Sequence, residues 1–122
     1  GQGSMRLYQD VVGRSRCIKF YEKGNANAGG IEELKEEFSL MKTLDNPHIA
    51  RTFEVFQDET FLYMVNEPFS GGDLTKIMGH AVKHNVEISE GWWRNIFVQC
   101  LSGINYLHDR SVMHCDIKEP NI

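Results

Sequence analysis

Apolar and polar positions follow two different periods along this chain. Leu7 to Val12 and Ser15 to Tyr21 are rich in β-branched and aromatic residues, and Gly13-Arg14 joins them, which predicts a β-hairpin. In the second run a period of two puts Cys17, Lys19 and Tyr21 on one face and Ile18 and Phe20 on the other. Lys19 therefore shares its face with two uncharged residues, an odd place for a solvating charge. A second pair of strand-like runs, Ala50 to Gln57 and Thr60 to Asn66, flanks Asp58-Glu59. Between the pairs the period changes. Ile31, Leu34, Phe38, Met41 and Leu44 recur every three or four positions, predicting an amphipathic helix from Gly30 to Asp45, after a flexible linker over Gly24 to Gly30.

At about 100° per residue, Glu37 falls between Met41 and Leu44, inside the apolar arc, whereas Glu32 and Glu36 fall on the solvated face. A carboxylate on a buried stripe wants a cation. Glu33, at the edge of the same arc, is a rival, and periodicity leaves the choice open. Further on, Asp73 to His80 predict a short helix and Ala81 to Ile88 a connecting loop. Ser89 suits the N-cap of a longer helix, with Ile88 placed to pack on Trp93 as a staple. The stripe of Trp93, Ile96, Phe97, Cys100, Leu101, Ile104 and Leu107 reads as core.

Composition narrows the class only a little. The 122 residues, 41% hydrophobic and 25% charged, suit a soluble globular chain with one modest core. A net charge of −4 argues against a general nucleic-acid binder, and no apolar run approaches a membrane span or a signal-peptide core. The three cysteines, Cys17, Cys100 and Cys115, form no C-x-x-C pair, which argues against a disulfide framework and for an intracellular, cytoplasmic location. The spacing of Cys100, His108, His114 and Cys115 fits no structural zinc pattern.

The densest chemistry lies in His114-Cys115-Asp116-Ile117-Lys118-Glu119-Pro120-Asn121. Moving a phosphoryl group to an alcohol takes a carboxylate to orient the hydroxyl and accept its proton, a cation near the phosphate, and an oxygen ligand for magnesium. Asp116, Lys118 and Asn121 supply these in order, at the spacing of the H-R-D-L-x-x-x-N catalytic loop, and the segment resembles a protein kinase. Taken alone, a cluster of His, Asp, Lys, Pro and Asn also describes a polar turn. Lys two residues after the Asp is the arrangement of Ser/Thr-directed kinases.

Other motifs extend the resemblance over nearly the whole chain. Arg16-Cys17-Ile18-Lys19 looks like the V-A-I-K strand, which implies that Lys19 holds the nucleotide's α and β phosphates and that Cys17 lines the nucleotide site. The turn at Asp45 to Ile49 looks like L-D-H-P-N-I, and its spacing implies that Glu37, not Glu33, pairs with Lys19. Glu67-Pro68-Phe69-Ser70-Gly71-Gly72-Asp73 resembles the hinge. The resemblance implies that the Glu67 carbonyl and Phe69 amide read adenine, that Asp73 meets the ribose, and that Asn66 is a polar gatekeeper. Together with the E-V-F-x-D-E-T-x-L-Y run, these motifs look most like the calcium-dependent and calmodulin-dependent kinase group, although no D-x-D-x-D-G calcium loop occurs.

The implied fold is α+β and protein-kinase-like: an antiparallel small lobe with one helix over residues 5–66, a hinge over 67–73, and the first helices of the large lobe over 74–122. Residues 1–4 read as a tag remnant, or as the end of a glycine-rich loop with Arg6 in place of its third Gly. The implied activity is transfer of the ATP γ-phosphate to a protein Ser or Thr with Mg2+, Asn121 being a metal ligand. A pseudokinase or nucleotide-binding scaffold is the alternative. Cys115 replaces the Arg that pairs with a phosphorylated activation loop in many kinases, and Glu119-Pro120 inverts the usual Pro-Glu order. No D-F-G or A-P-E is present, so the chain is expected to be half a kinase domain, inactive alone, with an exposed helix face able to self-associate.

Overall fold

The computed structural model describes residues 4–25 and 28–122, which fall into two compact units. The first comprises residues up to Asp45 together with Ile49–Pro68, and the second Asn46–His48 together with Phe69–Ile122. Residues 1–3, and Ala26 and Asn27 of the expected linker, lie outside the described residues.

The first unit is a four-stranded antiparallel sheet carrying one helix. Strands β1 (Ser4–Gln9), β2 (Ser15–Glu22), β3 (Thr52–Gln57) and β4 (Phe61–Asn66) lie in the order β1-β2-β4-β3. The β1–β2 connection takes in Asp10, whose carboxylate accepts from the amides of Val12 and Arg14 at 3.1 and 2.9 Å, and Gly13 supplies the positive φ of +82°. Local hydrogen bonding therefore ends β1 earlier than its apolar pattern does, leaving Val11 and Val12 exposed in the turn. Ser4, the last residue of the expected remnant, opens β1.

Helix α1 (Ala28–Thr43) starts inside the expected linker and shortens it. Phe38, 1% exposed, packs with Leu62 and Met64 of β4, and Tyr21, Leu34, Met41 and Val55 close round them. Registers Lys19↔Met64 and Tyr21↔Leu62 put the predicted Cys17-Lys19-Tyr21 face on this side of the sheet. The opposite face carries an aromatic row, with Phe20 edge-on to Phe61 at 5.7 Å and Phe56 stacked on Tyr63 at 4.7 Å. Burying a Phe is worth about 1.5–3 kcal/mol, so Phe38 is the chief anchor of helix to sheet.

The second unit holds α2 (Leu74–Lys83), α3 (Glu90–His108) and a closing 3-10 turn (Glu119–Asn121). Asp73 caps α2 by accepting from the Lys76 amide at 3.0 Å, and Ser89 caps α3 by accepting from the Trp92 amide at 3.2 Å. Leu74 and Leu107 are buried, and the Leu74 amide donates to the Ile122 carbonyl at 2.8 Å, tying the last residue back to the start of α2. The expected core stripe of α3 is only partly covered. Gly103 and Leu107 are buried and Trp93, Ile96, Cys100 and Ile104 half-buried, but Phe97 and Leu101 are 60% and 63% exposed because no described element packs on them.

Replacing Phe38 with Ala is expected to destabilise the first unit by about 3–5 kcal/mol in urea unfolding, because it empties the contact between helix and sheet. Leu101→Ser, at an exposed site, should change stability by about 0.5 kcal/mol or less. Equal effects of the two substitutions would contradict this core.

Candidate active site

In the first unit, β2 positions Lys19 half-buried, with its Nζ 5.2 Å from the centre of the Tyr21 ring. Tyr21 in turn lies 5.0 Å from Phe38, so the core supports the aromatic surface beneath the ammonium. The expected partner is elsewhere. Glu37 is exposed and makes no ion pair with Lys19 or with any other described residue. The reason is visible at the end of the helix. Leu44 lies beyond α1, whose last residue is Thr43, and it turns inward on its own, with its amide donating to the Met41 carbonyl at 3.2 Å. Once Leu44 leaves the helical wheel the arc narrows to Ile31, Leu34, Phe38 and Met41, and Glu37, about 100° round from Phe38, falls outside it.

Asn66 ends β4 between two buried neighbours, Cys17 on β2 and Thr52 on β3. The Thr52 hydroxyl, on a residue 2% exposed, donates to Asn66 Oδ1 at 2.8 Å and fixes the amide. Thr52 escaped the sequence reading, since only the β3–β4 register brings its hydroxyl to Asn66. Burial pushes the Cys17 thiol up, against the nearby Lys19 charge, so Cys17 is an uncharged packing group.

The Glu67 amide donates to the Arg51 carbonyl at 2.9 Å, and the Arg51 amide donates to Glu67 Oε2 at 3.0 Å. The Glu67 carbonyl and the Phe69 amide make no hydrogen bond to described residues, which leaves both main-chain groups open to a ligand. Asp73 is engaged: beyond its cap, its Oδ2 lies 3.2 Å from Lys76 Nζ, and the Lys76 amide holds its carboxyl below the usual range.

The second unit brings Asp116, Lys118 and Asn121 together. Lys118 Nζ sits 2.9 Å from Asp116 Oδ1, while Asn121 Nδ2 donates to the Asp116 carbonyl at 2.8 Å and to its Oδ2 at 3.0 Å. The Asp116 amide donates to His114 Nδ1 at 3.3 Å. Just before the Asp, Cys115 has a φ of +60°, a left-handed conformation unusual for a side chain with a Cβ. Glu119-Pro120 opens the 3-10 turn, where Pro is tolerated near the start, and the inverted order keeps Asn121 in reach of Asp116. The Lys118 ammonium first, and Asn121 second, hold the Asp116 carboxyl below its ordinary value of 3.8.

These groups fit the needs of a hard cation and a phosphate. With both Asn121 amide hydrogen bonds made through nitrogen, its Oδ1 accepts from no described residue and is the kind of oxygen Mg2+ takes. Among the described residues no group of three or more His, Cys, Asp or Glu could hold a metal, and no helix is long and apolar enough to cross a membrane.

The profile of the protein kinase domain matches residues 2–122. The chain is 36% identical to calcium-dependent protein kinase 5 of Plasmodium berghei (strain Anka) over 126 aligned residues, covering 100% of this chain and 21% of that protein. Identity to calcium-dependent protein kinase 5 of Plasmodium falciparum (isolate 3D7) is 37%, with the same coverage. Among solved structures, Rad53 1-466 in complex with AMP-PNP superposes with a TM-score of 0.83 at 25% identity, covering 99% of this chain and 30% of that one. The chain thus spans about a fifth of the length of these curated relatives. A four-stranded antiparallel sheet with its single helix, a loop that binds Asp to Lys and Asn, and these matches together place the chain in the protein kinase family.

Because Lys118 is the main cause of the low Asp116 value, Lys118→Ala is expected to move the midpoint up towards the ordinary carboxylate range in a carbon-detected NMR titration. The sign for stability follows. A depressed carboxyl stabilises the fold above its unfolded value, and that contribution fades as pH falls through the folded midpoint. An unchanged midpoint in the variant would show that Lys118 does not set it.

Proposed function

We propose that the protein to which this chain belongs transfers the γ-phosphate of ATP to Ser or Thr hydroxyls of protein substrates. The observation that carries this reading is the loop geometry at Asp116, where one ammonium and one amide hold an exposed, ionised carboxylate.

Asp116 accepts the proton of the incoming hydroxyl as its oxygen bonds to the γ-phosphorus, and the bond from that phosphorus to the β-phosphate oxygen breaks to release ADP. Lys118, 2.9 Å from Asp116, carries positive charge to where the transferring phosphate becomes most negative. Its place two residues after the Asp supports a Ser/Thr enzyme. Asn121 would hold Mg2+, which when bound neutralises phosphate charge. Lys19 would meet the α and β phosphates, the Glu67 carbonyl and Phe69 amide the adenine, and Asp73 the ribose once it is released from Lys76. Pairing of Glu37 with Lys19 would require α1 to turn from the orientation in which Glu37 is solvent-exposed.

In the complete protein, Asp116→Asn is expected to lower kcat by about 10²–10⁴, the range of general-base catalysis, while the KM for ATP changes less than about threefold. Steady-state kinetics with a Ser-containing peptide measure both. Parallel losses in kcat and ATP affinity would assign the carboxylate a structural role and favour a nucleotide-binding scaffold.

A further inference from the structure

Within the second unit, the phosphotransfer chemistry leaves the C-terminal end of α2 unexplained. His80 lies in the last turn and His84, four residues on, is the C-cap residue whose amide reaches back to the His80 carbonyl. Their rings lie nearly parallel, 19° apart in plane and 5.8 Å between centres. Both residues are exposed, and neither side chain makes a hydrogen bond or ion pair with a described residue. The pair edges an apolar hollow of about 550 Å3 between α2 and α3, whose lining includes Ile77, Val86, Ile88 and Trp92.

We propose that His80 and His84 form a two-histidine site for a divalent transition-metal ion at the end of α2. The spacing is the one by which two histidines on a single helix face chelate zinc in metalloproteases. Imidazole nitrogen suits Zn2+, Ni2+ and Cu2+, and the hard, oxygen-seeking Mg2+ of phosphoryl transfer has no claim on it. Two nitrogens about 2.0–2.1 Å from one ion need in-plane lone pairs that converge, so the stacked rings must rotate about their side-chain bonds, which the exposure of both residues permits. No third His, Cys, Asp or Glu among the described residues completes a cluster, so water fills the remaining positions and the site is exchangeable. A bound ion would clamp the last turn of α2, where the His84 amide donates to the His80 carbonyl at 3.0 Å, against the loop that begins at Asn85 with its φ of +51°.

The experiment uses Ni2+ alone, which does not oxidise the free thiols, and reads tryptophan emission, since Trp92 lines the same hollow and Trp93 lies 5.1 Å from it. The expected result is saturable quenching at one equivalent per chain. Either His80→Gln or His84→Gln should weaken the apparent affinity at least tenfold, whereas His108→Gln and His114→Gln should leave it within twofold. Quenching that survives in the His80→Gln/His84→Gln double variant, or that is lost instead with His108 or His114, overturns the proposal. Should a variant misfold by circular dichroism, the unmodified chain decides the matter: the His80 and His84 ring protons should broaden first in an NMR titration with Ni2+, and equal broadening at all five histidines would count against the site.

Discussion

The packing of Phe38 against Leu62 and Met64 is the contact on which the first unit depends. It fixes α1 on the sheet, sets the height of Tyr21, and through Tyr21 supports the half-buried ammonium of Lys19. A cation on a strand face turned towards a helix is costly unless something meets its charge, and an aromatic ring is a modest partner, worth about 0.5–2 kcal/mol. Among the described residues no ion pair holds Lys19, a condition suited to a group whose proposed partner is a phosphate.

The second unit solves the opposite problem. Its proposed catalytic groups lie on an exposed loop, where burial cannot hold them, and short polar contacts do so instead. Asn121 closes the loop by reaching both the carbonyl and the carboxylate of Asp116, and the left-handed turn at Cys115 directs the chain into that closure. Lys118 then has a dual character. It keeps Asp116 ionised, and as the neighbouring cation it is the group a phosphate would draw away.

Much of this was legible in the sequence, and the exceptions are physical. Strands β2 and β4, the cap at Ser89, and the Asp116-Lys118-Asn121 cluster follow from local pattern and spacing, whereas the cap that Asp73 makes at α2 appears only in the structure. The exposure of Glu37 was not legible, since it turned on whether Leu44 continued the helix, and Leu44 instead bonds to Met41 three residues back and leaves the α-helical path. The Thr52–Asn66 bond was hidden for a related reason: a register between strands 14 positions apart decides it. In α3 the apolar stripe forms where its period places it, and Phe97 and Leu101 remain exposed on it, in keeping with the expected exposed helix face.

The central claim, that Asp116 and its neighbours direct phosphoryl transfer to Ser and Thr, is tested most directly by identifying the labelled amino acid. The complete protein would be incubated with γ-labelled ATP, Mg2+ and a mixed acceptor protein, and the product hydrolysed to phosphoamino acids. The account predicts label on phosphoserine and phosphothreonine, abolished when Asp116 is replaced by Asn. Label on phosphotyrosine, or equal labelling with and without the Asp116 carboxylate, would contradict it.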